Sequence, residues 1–315
     1  MNRAGSKRLL IAAPKSGSGK TTITCALLEH LQRKGLNPCS FKCGPDYIDP
    51  MFHNKVLGID SRNLDSFFSS EDQIREAIAN CSSEYVVIEG VMGLYDGLSP
   101  AGIHGSAYEI ASITQTPILL VVDASGVGRS VLSLIKGMLL DDPNRLIRGV
   151  LLNNITKGFY EKLKPVLLQE LYGIREDLHL CGYFPKTENI RVGSRHLGLM
   201  LPGEVTDVKE KIRESRELLE SSCDMTQILS VMESAAAPEE SAAKKKRNAA
   251  SDFAVVETLS QTQKGPVLAV ARDDAFCFYY RENLALFEQN GITIQYFSPI
   301  TDPCIPTQAD GLLLG

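Results

Sequence analysis

The sequence predicts an α/β protein: a parallel sheet covered by helices on both faces, with the start of a second, smaller α/β unit after a break. Three observations carry this. From Arg8 to Met232, short apolar runs alternate with helical patterns. The runs themselves lack polar alternation, which suits strands buried on both faces. A glycine-rich loop, APKSGSGKTT over Ala13 to Thr22, joins the first strand to the first helix.

Arg8 to Ala13 reads as the first buried strand. Thr21 to Lys34 follows as a helix, with Ile23, Ala26, Leu27 and Leu31 on one face and Gly35 as its stop. Asn37 to Cys43 is the second strand, Tyr85 to Ile88 the third, Ile118 to Val122 the fourth and Val150 to Leu152 the fifth. Helical patterns fill the gaps, including Val131 to Leu140 and Glu161 to Leu171. Pro165 weakens the latter unless it lies in the first turn. A charged helical stretch runs from Val205 to Met232. From Ser234 to Lys264 there is little to bury, so a linker is expected, and Lys244 to Arg247 reads as its solvated charge run. Beyond it, Pro266 to Ala271 is a strand, Tyr280 to Gln289 a helix, Ile292 to Phe297 a strand, and Leu312 to Leu314 begins another. The expected division is 1–233, a linker over 234–264, and 265–315.

The bulk properties narrow the function. Of 315 residues, 43% are hydrophobic and 23% charged, which excludes a disordered or fibrous chain. A net charge of −5 gives no global basic field, so no nucleic-acid partner is expected. No apolar run approaches the ~20 residues of a membrane helix, and the basic N-terminus runs straight into the glycine-rich loop, so neither membrane nor signal peptide is expected. Eight cysteines lack any CxxC spacing; reduced thiols in a cytoplasmic protein are the expectation.

The strongest motif is the loop Lys15-Ser16-Gly17-Ser18-Gly19-Lys20-Thr21-Thr22. Gly17 and Gly19 let successive backbone N–H groups face phosphate oxygens. Lys20 is placed to reach the β- and γ-phosphates of ATP, and the Thr21 hydroxyl to bind Mg²⁺. Pro14 stands where the first glycine of GxxxxGK[ST] is expected. Lys15 occupies the extra-lysine position of deviant phosphate loops; it either stabilises charge across a dimer interface or is a surface lysine. FKCGPDYIDP over Phe41 to Pro50 puts Asp46 and Asp49 at a strand's carboxyl end, placed either for Mg²⁺ or substrate or for turn chemistry. Glu89 ends the third strand, the shape of a second metal-binding element, and Asp96 follows in a glycine-rich loop. Asp46, Asp49, Glu89 and Asp96 are expected to cluster with no positive partner, so that Mg²⁺ and phosphate compensate them.

Together with VVIEGVMGLYDG, with Arg195-His196-Leu197-Gly198-Leu199, and with ARDDAFCFYY over Ala271 to Tyr280 followed by Asn283-Leu284, these motifs resemble the cobyrinic acid a,c-diamide synthase family. The resemblance runs from Arg8 to the last residue, apart from the linker. It implies a P-loop NTPase domain of the dethiobiotin-synthetase type over 1–233 and the start of a class I glutaminase domain over 265–315. The implied activity is ATP-dependent amidation of the a and c acetate carboxylates of a corrinoid in cobalamin biosynthesis, through an acyl phosphate. Thr21, Asp46 and Glu89 are then the implied Mg²⁺ residues, Asp46, Asp49, Glu89 and Asp96 the implied catalytic acids, and Asn154, after Asn153, the implied reader of adenine. A homodimer is the family expectation.

A class I glutaminase needs a cysteine on a sharp strand-to-helix turn and a late His–Glu pair. None of the cysteines lies in a G-x-C-x-G turn, Cys277 reads as core, and all five histidines precede the linker. The expectation is therefore a glutaminase half cut off before its chemistry, with nitrogen from free ammonia or from a separate glutaminase chain. Two other readings stand beside it: a partition-type ATPase acting as a nucleotide switch, and an inactive remnant.

Overall fold

The computed structural model describes residues 6–187, 202–236 and 265–315. Most of the expected linker, its Lys244–Arg247 run and the Arg195–Leu199 motif lie outside the described residues. The chain divides into two compact units, Met1–Glu239 and Glu240–Gly315.

The first unit is built on seven parallel strands: β1 (Lys7–Ala12), β2 (Cys39–Cys43), β3 (Ser61–Leu64), β4 (Tyr85–Glu89), β5 (Ile118–Asp123), β6 (Ile147–Asn153) and β7 (His179–Phe184). Their order across the sheet is β3-β2-β4-β1-β5-β6-β7. The chain steps from β1 to one side, returns, and continues on the other, so the carboxyl end of β1 lies at a topological switch, where open α/β sheets bind ligands. Side chains alternate across the sheet. Leu10 and Ala12 join the core on one face and Leu9 and Ile11 the core on the other, all four essentially inaccessible. Each fully buried leucine contributes about 1.5–3 kcal/mol, which explains why β1 carries no polar side chain beyond Arg8.

One face is covered by α3 (Glu71–Ala79), α4 (Ala107–Thr114), α5 (Ser130–Leu140) and α6 (Lys157–Tyr172). The other carries α1 (Lys20–Arg33), α7 (Pro202–Ser222) and α8 (Met225–Glu233), together with α2 (Ile48–Phe52) and a π-helical turn over His53–Leu57. Pro165 lies inside α6, not in its first turn, on an exposed face where the carbonyl it frees can meet water. The single helical stretch expected over Val205 to Met232 is two helices. Asp224 breaks it, its carboxylate accepting from the backbone of Thr226 and Gln227 at 3.1 Å to cap α8.

One cysteine expectation is corrected. Cys39 on β2 and Cys81 before β4 form a disulfide, with Cα atoms 7.4 Å apart; the pairing follows from β2 and β4 being neighbours, which a separation of 42 residues along the chain conceals. Cys25, Cys43, Cys181, Cys223 and Cys304 are outside any disulfide.

The second unit has three parallel strands, β8 (Val267–Ala271), β9 (Thr293–Phe297) and β10 (Gly311–Leu313), in the order β10-β8-β9, and one helix, α9 (Arg281–Gln289). Its core cluster is Ala269, Ala271 and Phe297, and α9 buries no residue fully. Cys277, expected in the core, is half-buried.

Candidate functional site

The loop after β1 turns sharply because two glycines adopt left-handed backbone, Gly17 at φ 74° and Gly19 at φ 92°. Gly19 has a second constraint. A Cβ there would lie 2.2 Å from the Asn153 amide nitrogen, which donates to the Ser18 carbonyl at 2.7 Å and so ties the loop to the end of β6. No side chain caps α1, so its first N–H groups face outward for an anion. Lys20 donates to the Met92 carbonyl at 2.5 Å. Burial, then the nearby Lys42, lowers the Lys20 pKa.

Opposite the loop, β2 and β4 end side by side, with Lys42 aligned on Glu89. Sequence reasoning expected four acids without a positive partner. The structure puts the buried Lys42 ammonium among three of them: 2.6 Å from Asp49, 3.0 Å from Glu89 and 3.9 Å from Asp46. Burial opposes the Lys42 charge, but Glu89 and Asp49 outweigh it and hold the pKa above the ordinary lysine value. Burial, then Glu89, pushes the Asp49 carboxyl up, with Lys42 pulling the other way. Glu89 is wholly buried, and its Oε1 also accepts from the Thr21 hydroxyl at 2.6 Å. Its Oε2 has no hydrogen-bond partner among the described residues. His53, equally buried, presents Nε2 to that oxygen at 3.9 Å, and burial pushes its pKa down to about 4.

A cavity of about 580 Å³ runs between these two walls. Ser16, Gly17, Gly19, Lys20, Thr21, Thr22, Asp46, Asp49, Glu89 and Asn154 line it. Of the other expected residues, Ser18 is buried with its hydroxyl on the Lys15 carbonyl, and Lys15 is exposed, 3.9 Å from Asp123. Asp96 accepts from the Gly93 amide at 2.9 Å and shapes the loop after β4, outside the cavity lining. Asp46 serves a turn as well as the cavity, since its Oδ1 accepts from the Ile48 and Asp49 amides. Asn154 donates to Asp123 at 3.0 Å. Lys42, Ile48, Met92, Phe184 and Thr187 line the cavity too, and sequence reasoning missed them. Lys42 carried a signal: a lysine inside a buried strand must find acids.

The family of nucleotide-binding domains described as CbiA, the CobQ/CobB/MinD/ParA nucleotide binding domain, matches residues 9–199, a span that includes both walls of the cavity. The chain belongs to this family. Among relatives, the chain is 36% identical to the cobyrinate a,c-diamide synthase of Clostridium acetobutylicum, over 98% of this chain and 66% of that protein. It is 34% identical to the cobyrinate a,c-diamide synthase of Clostridium tetani, over 98% and 65%. The chain thus spans just under two thirds of the length of these relatives. The MinD cell division protein of Aquifex aeolicus is similar with a TM-score of 0.39 and 16% identity, over 66% of this chain and 95% of that one.

For a member of the CobQ/CobB/MinD/ParA family, the donor set can be tested against Mg²⁺. That ion takes one or two protein oxygens, with phosphate and water completing the shell. Thr21 and Glu89 supply a hydroxyl and a carboxylate in direct contact, and Glu89 Oε2 is a buried oxygen in want of a partner. Among the described residues no group of three acidic, histidine or cysteine side chains forms a metal cage. The described residues fit Mg²⁺ carried in with a nucleotide.

Proposed function

We propose that this chain binds Mg²⁺-ATP and activates a corrinoid acetate carboxylate for amidation, the a,c-diamide synthase reaction of its relatives. The observation that supports it is the cavity itself, with a phosphate-binding loop on one wall and Lys42 among Asp46, Asp49 and Glu89 on the other. A carboxylate oxygen leaves poorly, so ammonia needs an activated acyl group. Transfer of the γ-phosphoryl makes the acyl phosphate, and ammonia then displaces phosphate.

The loop amides from Ser16 to Thr21 hold the phosphates, and Lys20 moves from the Met92 carbonyl to the β- and γ-oxygens. Thr21 and Glu89, with Asp46 nearby, would hold Mg²⁺, which neutralises phosphate charge when bound. Lys42 keeps the acids from repelling the incoming carboxylate. Asn154 and Phe184 at the other end take the adenine, with the Asn154 amide nitrogen held by Asp123. Positioning and charge stabilisation are the whole of the protein's share. The nitrogen comes as ammonia, released elsewhere from glutamine or supplied free. We place the second unit as the beginning of the glutaminase domain, and a homodimer as the working assembly.

The test supplies the purified chain with cobyrinic acid, Mg²⁺-ATP and either ammonium or glutamine, and follows amide formation by mass. Amide with ammonium supports the reading. ATP hydrolysis that corrinoid does not stimulate, with no amide formed, overturns it.

A further inference from the structure

Two asparagines stand side by side at the carboxyl end of β6, and they do different things. Asn153 commits its amide to the backbone: Nδ2 donates to the Ser18 carbonyl at 2.7 Å, and Oδ1 accepts from the Asn154 N–H at 2.9 Å. Asn154 then leaves the strand with a left-handed backbone, φ 60°, a conformation asparagine tolerates better than most residues with a side chain. It lines the cavity along with Phe184 and Thr187. Asp123 ends the neighbouring strand β5, in register with Asn153 and outside the cavity lining. Its Oδ1 accepts from Asn154 Nδ2 at 3.0 Å and from the Ser125 amide at 3.1 Å. Burial opposes the Asp123 charge, but the hydrogen bonds from Asn154 and Ser125, with Lys15 at 3.9 Å from Oδ2, outweigh it and hold the carboxyl below the usual carboxylate range.

An ionised carboxylate only accepts, so the Asn154 atom that faces it is the amide nitrogen, and this fixes which way the amide points. Nδ2 carries two hydrogens. With one on Asp123, the other remains for a ligand beside the Oδ1 acceptor. One donor next to one acceptor matches the adenine edge, where the 6-amino group donates and N7 accepts. A 6-oxo purine shows two acceptors there, as guanine does, and its O6 would meet Oδ1 acceptor to acceptor. An amide free to turn can offer its NH₂ group alone to both acceptors; one whose NH₂ group is held by Asp123 cannot. We propose that Asp123 is a positioning residue that fixes the Asn154 amide as a reader of 6-amino purines, so that the cavity takes ATP in preference to a 6-oxo nucleotide. The proposal rests on the nucleotide-site reading above and adds to it the group that sets base preference.

Isothermal titration with ATP and with inosine triphosphate reads the preference, since the two share ribose and phosphates and differ at the 6-position of the purine. The parent should bind ATP at least about tenfold more tightly, within the range of one bidentate base contact. In Asp123→Ala that ratio should fall to about threefold or less. In Asp123→Asn, which keeps an oxygen for Asn154 and Ser125, it should stay within about twofold of the parent's. Lys15 and the phosphate loop act on both nucleotides alike and cancel in the ratio, so a merely structural loss lowers the two affinities together. A ratio in Asp123→Ala equal to the parent's overturns the proposal, whatever the affinities themselves do. So does a loss of preference in Asp123→Asn as large as in Asp123→Ala. Parent protein gives a second measurement, independent of whether a variant folds. 7-Deaza-ATP lacks the N7 acceptor and should bind about tenfold more weakly than ATP; equal affinity overturns the assignment. A parent chain that binds ATP and inosine triphosphate alike overturns the proposal and leaves the phosphate site standing. One that binds neither overturns the nucleotide-site reading, and the proposal with it.

Discussion

The two ends of the seven-stranded sheet both bury charge, and they do it differently. At the amino end, Asp142 accepts from the Tyr108 hydroxyl, the Leu146 and Ile147 amides and the Arg175 guanidinium, all within 2.9 Å. Arg8, wholly buried in β1, donates to Thr116, the Thr114 carbonyl and the Ala236 carbonyl beyond α8. At the carboxyl end, Lys42 meets three acids, yet Glu89 Oε2 and His53 Nε2 stay without partners and an open cavity adjoins them. A buried polar group left unpaired costs about 1–3 kcal/mol, so a fold keeps it only where something else completes it. The difference is one of satisfaction: the network around Asp142 is closed, and the one around Glu89 is not.

The largest effect that would sharpen this contrast is at the amino end. Asp142→Ala leaves Arg175 without its closest acid and two buried amides without an acceptor. Removing one partner of a buried ion pair costs about 3–5 kcal/mol. The urea midpoint should fall accordingly, while ATP affinity by isothermal titration stays within twofold. An affinity that falls in step with stability would break the distinction between the two ends.

Legibility in the sequence follows the same division. Strands β1, β4, β5 and β6 read correctly because burial on both faces demands unbroken apolar runs. β3 escaped because it is an edge strand whose Arg62 and Asn63 are only half-buried; the Asn63 amide supports the Gly44 and Asp46 carbonyls. β7 escaped because Gly182, at φ 116°, interrupts its pattern where Cys223 packs against it. The phosphate loop was legible because its glycines and lysine are contiguous. Lys42 and His53 were not, since their roles depend on β2 lying beside β4 and on the segment after β2 folding back over both, which local spacing does not encode. Asp96, an acid chosen for its charge, also accepts from the Gly93 amide and shapes a turn, a role that its charge alone does not reveal.

A second test uses pH at the carboxyl end. His53 has a folded pKa of about 4 against an ordinary 6.5, so below pH 6.5 the unfolded chain takes up a proton that the folded ring refuses. The stability this neutral ring contributes is complete above pH 6.5 and is lost as pH falls toward 4. The linkage is of the order of 3 kcal/mol over that window. His53→Gln does not titrate, so its urea stability should drop less than the parent's between pH 7 and pH 4.5. Equal drops would mean that the ring is already charged in the fold, and that the two ends of the sheet differ less than their hydrogen bonds suggest.

The smallest effect on stability should accompany a clear loss of binding. The Lys20 ammonium donates to the Met92 carbonyl, and its pKa is lowered by burial and by Lys42, so its removal relieves a cation as it loses a contact. Lys20→Ala should therefore leave the urea midpoint nearly unchanged, within about 0.5 kcal/mol. ATP affinity should fall by about 1.5–3 kcal/mol, the range for a hydrogen bond to a charged group, or roughly 10- to 150-fold. Stability and affinity then move oppositely at the two ends of one sheet, with Asp142→Ala changing the first and Lys20→Ala the second. A Lys20→Ala chain that binds ATP as the parent does would remove the phosphate loop from the site. The Lys42 cluster would then be a structural ion network like the one around Asp142, with an incidental hollow beside it.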